Sequence, residues 1–224
     1  MSIYMILQTE SVISVSKGGN MGNLNETPSA NRLHIGIYGK TNSGKSSLIN
    51  AVTKQEVSIV ADVAGTTTDP VYKPMEIHPL GPCVIIDTAG FDDDSELGER
   101  RVEKTHLAAE KTDIAVVVLD IAEVIAAKKA GIPFKKAFKD EAEWSLLFAK
   151  KHTPVVFALN KIDEILLSAE AQEKSSGKLD NAAIEAAKCW VFEENSAVMG
   201  KNADNSFEVV AVSALKGKGM DAVI

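Results

Sequence analysis

The sequence predicts an α/β fold: a mostly parallel six-stranded sheet with one antiparallel strand and helices on both faces. Three observations carry that prediction. Ile114-Ala115-Val116-Val117-Val118-Leu119 and Val155-Val156-Phe157-Ala158-Leu159 are unbroken apolar runs, which suit strands covered on both faces. Such runs alternate with helical stretches along the chain, the pattern that builds a parallel sheet through crossovers. Pro79-Leu80-Gly81-Pro82 suits a tight connection, so the runs on either side of it pair as an antiparallel hairpin.

Residues 1–30 stand apart as an N-terminal extension. Lys17-Gly18-Gly19-Asn20 and Gly22-Asn23 are rich in turn residues and no period is sustained, so the segment reads as flexible, with Met21 an alternative start to Met1. Residues 31–224 read as one domain. Its first strand is Leu33 to Tyr38, ending at Gly39, and Lys45 to Lys54 is the first helix. Val71 to Ile77 and Cys83 to Ile86 are the hairpin strands. Arg100 to Lys111, Phe134 to Lys150 and Ala171 to Phe192 read as helices, the last with a break near Ser175-Ser176-Gly177. Glu208 to Val212 is the final strand. A helix starts after Gly219, so the last helix of the fold is expected to be truncated at Ile224.

Composition narrows the function classes. A chain of 224 residues with 45% hydrophobic and 25% charged residues has the balance of an ordinary globular domain. The net charge of −7 argues against a large nucleic-acid footprint. No apolar run approaches the ~18 residues of a membrane span, and the amino terminus lacks a signal peptide's basic region, so a cytoplasmic location is the expectation. Cys83 and Cys189 have no ligand-like spacing and read as packing or surface thiols.

Four strand ends carry chemistry. Gly39-Lys40-Thr41-Asn42-Ser43-Gly44-Lys45-Ser46 matches G-x-x-x-x-G-K-[ST] between a predicted strand and a predicted helix, the context of a phosphate-binding P-loop. Backbone N–H groups from Asn42 through Ser47 can turn toward phosphate oxygens at the positive end of the helix. Lys45 reaches the β and γ phosphates, and the Ser46 hydroxyl is a Mg²⁺ ligand. Asp87-Thr88-Ala89-Gly90 follows the third strand. Asp87 can hold Mg²⁺ through water, and Gly90 can bring its N–H to a γ-phosphate.

Asn160-Lys161-Ile162-Asp163 follows the fifth strand. The Asp163 carboxylate can accept from guanine N1–H and the N2 amino group, whereas adenine would leave it unpaired. The Lys161 stem can cover the base plane. Ser213-Ala214-Leu215 follows the last strand, where its backbone can close over guanine O6. Between the first helix and second strand lies Gly65-Thr66-Thr67-Thr68-Asp69, a candidate mobile loop. Thr67 is its expected Mg²⁺ ligand, with Thr66 and Thr68 as alternates.

These five motifs resemble the G1 to G5 boxes of translation-factor-type GTPases, and the TrmE–Era branch in particular. The resemblance implies the P-loop GTPase fold and hydrolysis of GTP to GDP and phosphate. The flanking residues 24–32, Asp62-Val63-Ala64-Gly65-Thr66-Thr67-Thr68-Asp69-Pro70-Val71-Tyr72, Leu80-Gly81-Pro82 and residues 96–105 resemble the HydF family, the GTPase maturation factors of [FeFe]-hydrogenase. The resemblance covers roughly residues 21–224 and implies, for a full-length parent, a dimerisation domain, an iron–sulfur scaffold domain, and hydrogenase maturation enzymes and apo-hydrogenase as partners. No iron–sulfur cluster is expected in this chain, because Cys83 and Cys189 do not match the cluster motif. No nucleic acid and no membrane are expected as partners.

Many such GTPases carry a glutamine after the D-x-x-G box to orient the attacking water. Here that place is Phe91, which cannot hold a water. Asn42 stands where TrmE-like GTPases use an asparagine to bind K⁺, so the resemblance implies K⁺-stimulated hydrolysis. Glu96 and Glu99 are candidates for orienting the water. Lys45, Asn42, Thr67, Gly90 and Glu99 are thus the expected catalytic set. Two other readings stand beside this one. The domain could act as a GTP/GDP switch with incidental turnover, or serve tRNA modification or ribosome assembly.

Overall fold

The computed structural model describes residues 32–53, 71–77, 80–88, 106–165, 177–199 and 207–223. Six strands form one sheet: β1 (Leu33–Tyr38), β2 (Val71–Ile77), β3 (Gly81–Asp87), β4 (Ile114–Asp120), β5 (Val155–Asn160) and β6 (Phe207–Ala211). Their order is β2-β3-β1-β4-β5-β6. Only β2 runs antiparallel to its neighbour, with Ile77 opposite Gly81 at the hairpin end. The other four pairings are parallel.

The helices are α1 (Lys45–Thr53), α2 (Ile121–Lys129), α3 (Phe134–Ala137), α4 (Lys139–Lys151) and α5 (Gly177–Met199). Helical stretches also occupy 106–111 and 162–165, and a 3₁₀ turn spans Met220–Ala222. Alternate side chains of each central strand enter opposite cores. On one face Ile35, Ile37, Val116 and Val118 pack with Leu48, Ile49 and Val52 of α1. On the other, Tyr38, Val117, Leu119 and Phe157 pack with Val124, Phe148 and Val191 from α2, α4 and α5. Every residue of β5 is buried, which explains why its sequence shows no alternation.

The structure departs from the sequence reading at three places. Helix α2 starts immediately after β4 with no intervening glycine or proline. Its signal is Asp120, whose carboxylate accepts the Ala122 N–H at 2.8 Å as an N-cap. The single helix expected from Phe134 to Lys150 is two, because Phe138 leaves the helical region at φ −127°. The helix expected to end at Phe192 continues to Met199, held by apolar residues such as Val191 and Met199. The expected extension 1–30, residues 54–70, residues 89–105 and residues 166–176, with the expected helix start at Ala171 and the break near Ser175, lie outside the described residues.

The chain leaves β1 for β2 and β3 on one side, then crosses to β4 on the other. Strand order therefore reverses at β1, and the crevice beyond its carboxyl end is where α/β sheets of this kind take ligands.

Gly36 makes room at the centre of this sheet. A Cβ there would lie 2.5 Å from the Tyr38 ring and 2.6 Å from the Thr112 hydroxyl, which are themselves hydrogen-bonded at 2.8 Å. Gly36→Ala is expected to cost about 1–3 kcal/mol by overpacking, read as a lowered urea midpoint with an unchanged slope.

Candidate functional site

The loop between β1 and α1 opens at the reversal point. Two of its glycines are required by their surroundings. Gly39 has φ +143°, and a Cβ there would lie 2.3 Å from the Val118 carbonyl. Gly44 has φ +93°, and a Cβ would lie 2.2 Å from the Asn160 amide nitrogen. Asn42 also has positive φ, 65°, a region that asparagine tolerates better than most residues. Ser46 and Ser47 are exposed on the first turn of α1, while Lys45 is 5% exposed. The Lys45 ammonium donates to the carbonyls of Gly39 at 2.5 Å and Lys40 at 2.8 Å. An ammonium inside a curved backbone, beside the amides of a helix N-terminus, is a site for a polyphosphate.

Parallel pairing of β1 with β3 sets Asp87 opposite Ile37, next to that loop. Asp87 pairs with Lys73 at 3.1 Å. Beyond it, the buried Thr88 hydroxyl donates to the Ile37 carbonyl and ties the two strand ends together.

Asn160 joins the loop to the far side of the site. Its side-chain amide donates to the Ser43 carbonyl at 3.0 Å, and its side-chain oxygen accepts the Ala214 N–H at 3.0 Å. Lys161 follows in the left-handed region at φ 68°, a conformation that costs a non-glycine residue roughly 1–2 kcal/mol. Strain of that kind is retained where the surroundings fix it. Here the Lys161 ammonium is fixed by Asp120 at 2.7 Å, and this partner raises its pKa above the ordinary lysine value. Asp163 accepts the Ser213 hydroxyl at 2.5 Å. Ser213 and Lys218 exchange backbone hydrogen bonds that close the last turn.

Lys45, Ser46, Asp87, Asn160, Lys161, Asp163 and Ser213 thus lie together at the carboxyl ends of the strands. Ala214 differs in detail: its amide is committed to Asn160 rather than to the space where a base oxygen was expected. Leu215, 76% exposed, is the remaining amide of that trio. Thr67, Gly90, Phe91, Glu96 and Glu99 lie outside the described residues. Among the described residues no group of three or more His, Cys, Asp or Glu could hold a metal ion. Cys83 is buried in β3, where burial pushes its thiol up to about 12, and Cys189 is exposed on α5. No helix among the described residues is long and apolar enough to cross a membrane.

Sequence reasoning missed Asp120, Lys40 and Glu141. Asp120 could have been found as a helix cap, but Glu141 sits in a plain helical stretch. The residue is 1% exposed, and one carboxyl oxygen accepts the Lys40 N–H at 3.2 Å.

A phosphate loop at the sheet's reversal point, with a carboxylate held at a neighbouring strand end, defines a nucleotide-binding α/β domain. Residues 34–161 match the model of the 50S ribosome-binding GTPase family, and the chain belongs to that family. It is 46% identical over 80 residues to GTPase Der of Mycoplasmopsis pulmonis, covering 36% of this chain and 18% of that protein. It is 35% identical over 132 residues to the tRNA modification GTPase MnmE of Laribacter hongkongensis, covering 58% of this chain and 26% of that protein. The chain therefore spans about a quarter or less of the length of these relatives. Among solved structures, a single-residue variant of Aquifex aeolicus Era bound to GDP·AlF4⁻ aligns with TM-score 0.51 and 25% identity, covering 82% of this chain and 52% of that one. This is the GTP-binding G domain of a GTPase of the TrmE/Era/Der type.

Burial raises the Glu141 pKa above the ordinary carboxylate range, opposed in part by Lys40 and aided by Asp140. A raised folded-state pKa adds stability at acid pH, and that stability is lost as pH rises through the raised value. The stability of Glu141→Gln relative to the native chain is therefore expected to increase as pH rises from the acid range, measured as the difference in urea midpoints.

Proposed function

We propose that this domain hydrolyses GTP with Mg²⁺ and K⁺ and is the nucleotide-driven part of an [FeFe]-hydrogenase maturation factor. The observation that carries the guanine reading is the Asp163 carboxylate, held by Ser213 at the same carboxyl end of the strands as the phosphate loop. From there it accepts from N1–H and the N2 amino group, with the Lys161 stem over the base and the 213–215 backbone near O6. The loop amides and Lys45 hold the β and γ phosphates and stabilise charge as the γ-phosphoryl group leaves. Water attacks in line, and positioning supplies much of the rate.

The donor set fits a hard divalent cation: a serine hydroxyl at Ser46 as an oxygen ligand and a carboxylate at Asp87 to hold it through water, with Thr67 expected to complete it. A divalent cation held by these residues would supply neutralisation of phosphate charge. Asn42 is exposed on the phosphate loop, which suits a K⁺ ligand. Phe91 in place of a glutamine makes other catalytic help necessary, and Glu99 is the candidate for orienting the water.

The hydrogenase-maturation reading rests on the flanking residues described above, densest between 22 and 120. It implies hydrogenase maturation enzymes and apo-hydrogenase as partners and an iron–sulfur scaffold elsewhere in the parent. A downstream cysteine–histidine cluster in the parent gene supports it, and a parent gene without one overturns it. Similarity to MnmE favours a second reading, a role in tRNA modification, against which the net charge of −7 counts.

GTP turnover is expected to be about tenfold or more faster in KCl than in NaCl, with the difference lost in Asn42→Ala while GDP binding persists. Equal rates in the two salts would remove the potassium step. Asp163→Asn is expected to weaken GDP binding about 100-fold or more, read by calorimetric titration, because one acceptor is replaced by a donor facing donors.

A further inference from the structure

Glu141 belongs to none of the nucleotide motifs, yet it reaches the phosphate loop from behind. It lies in the first turn of α4, 101 positions along the chain from Lys40, whose N–H it accepts through Oε1 at 3.2 Å. Its other oxygen, Oε2, is buried and has no hydrogen-bond partner. The Ser43 hydroxyl, on the same loop, is 4% exposed and also has none. Leaving either dry would cost about 1–3 kcal/mol. Both residues line one cavity of about 10 Å³, together with Lys40, Thr41 and Asp120. Val118, Leu119 and Phe138 line it as well, and it has room for about one water, whose polar partners would be the Glu141 and Ser43 oxygens.

We propose that Glu141 is a positioning residue of the phosphate loop. One carboxyl oxygen holds the Lys40 amide directly. The other holds the Ser43 hydroxyl through a single ordered water in this cavity. Lys40 adds a second tie to the same elbow, because its ammonium donates to the Ala137 carbonyl at 2.9 Å and lies 4.9 Å from the centre of the Phe138 ring. The loop is thereby braced on two sides. Asn160 holds the Ser43 carbonyl on the base side, and the α3–α4 elbow holds Lys40 and the Ser43 hydroxyl at the back. The brace is made before nucleotide arrives, so it lowers the ordering that binding would otherwise require. Its effect falls on affinity for the diphosphate common to GDP and GTP, more than on the chemical step.

The inference deepens the GTP-binding reading, and GDP binding by the native chain is its control. GDP affinity by titration calorimetry and steady-state GTP turnover are measured for native protein, Glu141→Ala, Glu141→Gln, Ser43→Ala and the Ser43→Ala/Glu141→Gln double variant. Glu141→Ala is expected to weaken GDP about tenfold and raise KM for GTP in proportion, with kcat within about twofold. Glu141→Gln retains the Lys40 contact and a polar group facing the cavity, and is expected to stay within about threefold of native affinity. Ser43→Ala and Glu141→Gln share the water, so their effects on GDP affinity should be less than additive. A folded Glu141→Ala protein that binds GDP like the native chain overturns the proposal. So does a fall in kcat without a fall in affinity. If Glu141→Ala does not fold, the cycle of Ser43→Ala and Glu141→Gln decides: full additivity overturns the shared water and with it the proposed brace.

Discussion

The structure of this site depends on one side chain, the amide of Asn160. It stands at the end of β5, 2% exposed, and spends its donor on the Ser43 carbonyl and its acceptor on the Ala214 amide. Those partners belong to the phosphate loop and to the turn after β6, segments far apart in the chain and otherwise attached to different strands. A carboxamide carries both a donor and an acceptor, so it can donate to one and accept from the other at once. An aspartate would face the Ser43 carbonyl with a second acceptor. A buried donor and acceptor would both be orphaned by an apolar residue. The closeness of Gly44 follows from the same constraint, because any Cβ there would strike the Asn160 amide.

Around that brace the site divides into two halves with different physics. The phosphate half is backbone: Gly39, Asn42 and Gly44 have positive φ, and the Lys45 ammonium sits on the Gly39 and Lys40 carbonyls of the loop. The half proposed to take the base is side chain: Asp163 accepts the Ser213 hydroxyl, and Lys161 is held in an unfavourable backbone region with its ammonium on Asp120. Asp120 has two tasks, since its other oxygen starts α2. The end of β4 is therefore tied both to the helix that follows it and to the lysine of the neighbouring strand end. The register that sets Asp120 opposite Asn160 makes this possible.

Much of this was legible in the sequence. The unbroken runs of β4 and β5 report burial on both faces directly, and the short segment between β2 and β3 reports their antiparallel pairing. The places of the phosphate loop, Asp87, Asn160 and Asp163 are readable because each stands at or just after the end of an apolar run that reads clearly as a strand. What was not legible depends on tertiary contact. Glu141 has the spacing of any helical glutamate; only the packing of α4 against the loop makes it a buried partner of Lys40. The break at Phe138 has no glycine or proline to mark it, and α2 follows β4 with only Asp120 as its signal. The commitment of the Ala214 amide to Asn160 is likewise a product of two chain segments meeting, which no local pattern records.

The central claim is that one carboxamide couples the phosphate half to the base half. Binding of GDP and IDP to native protein and to Asn160→Ala tests it most directly, because IDP lacks the guanine N2 amino group that Asp163 would accept. The account predicts that the variant loses GDP affinity by about 100-fold and, in the same step, loses most of its preference for GDP over IDP. A variant that stays folded and keeps the native preference while losing only phosphate affinity would contradict the coupling.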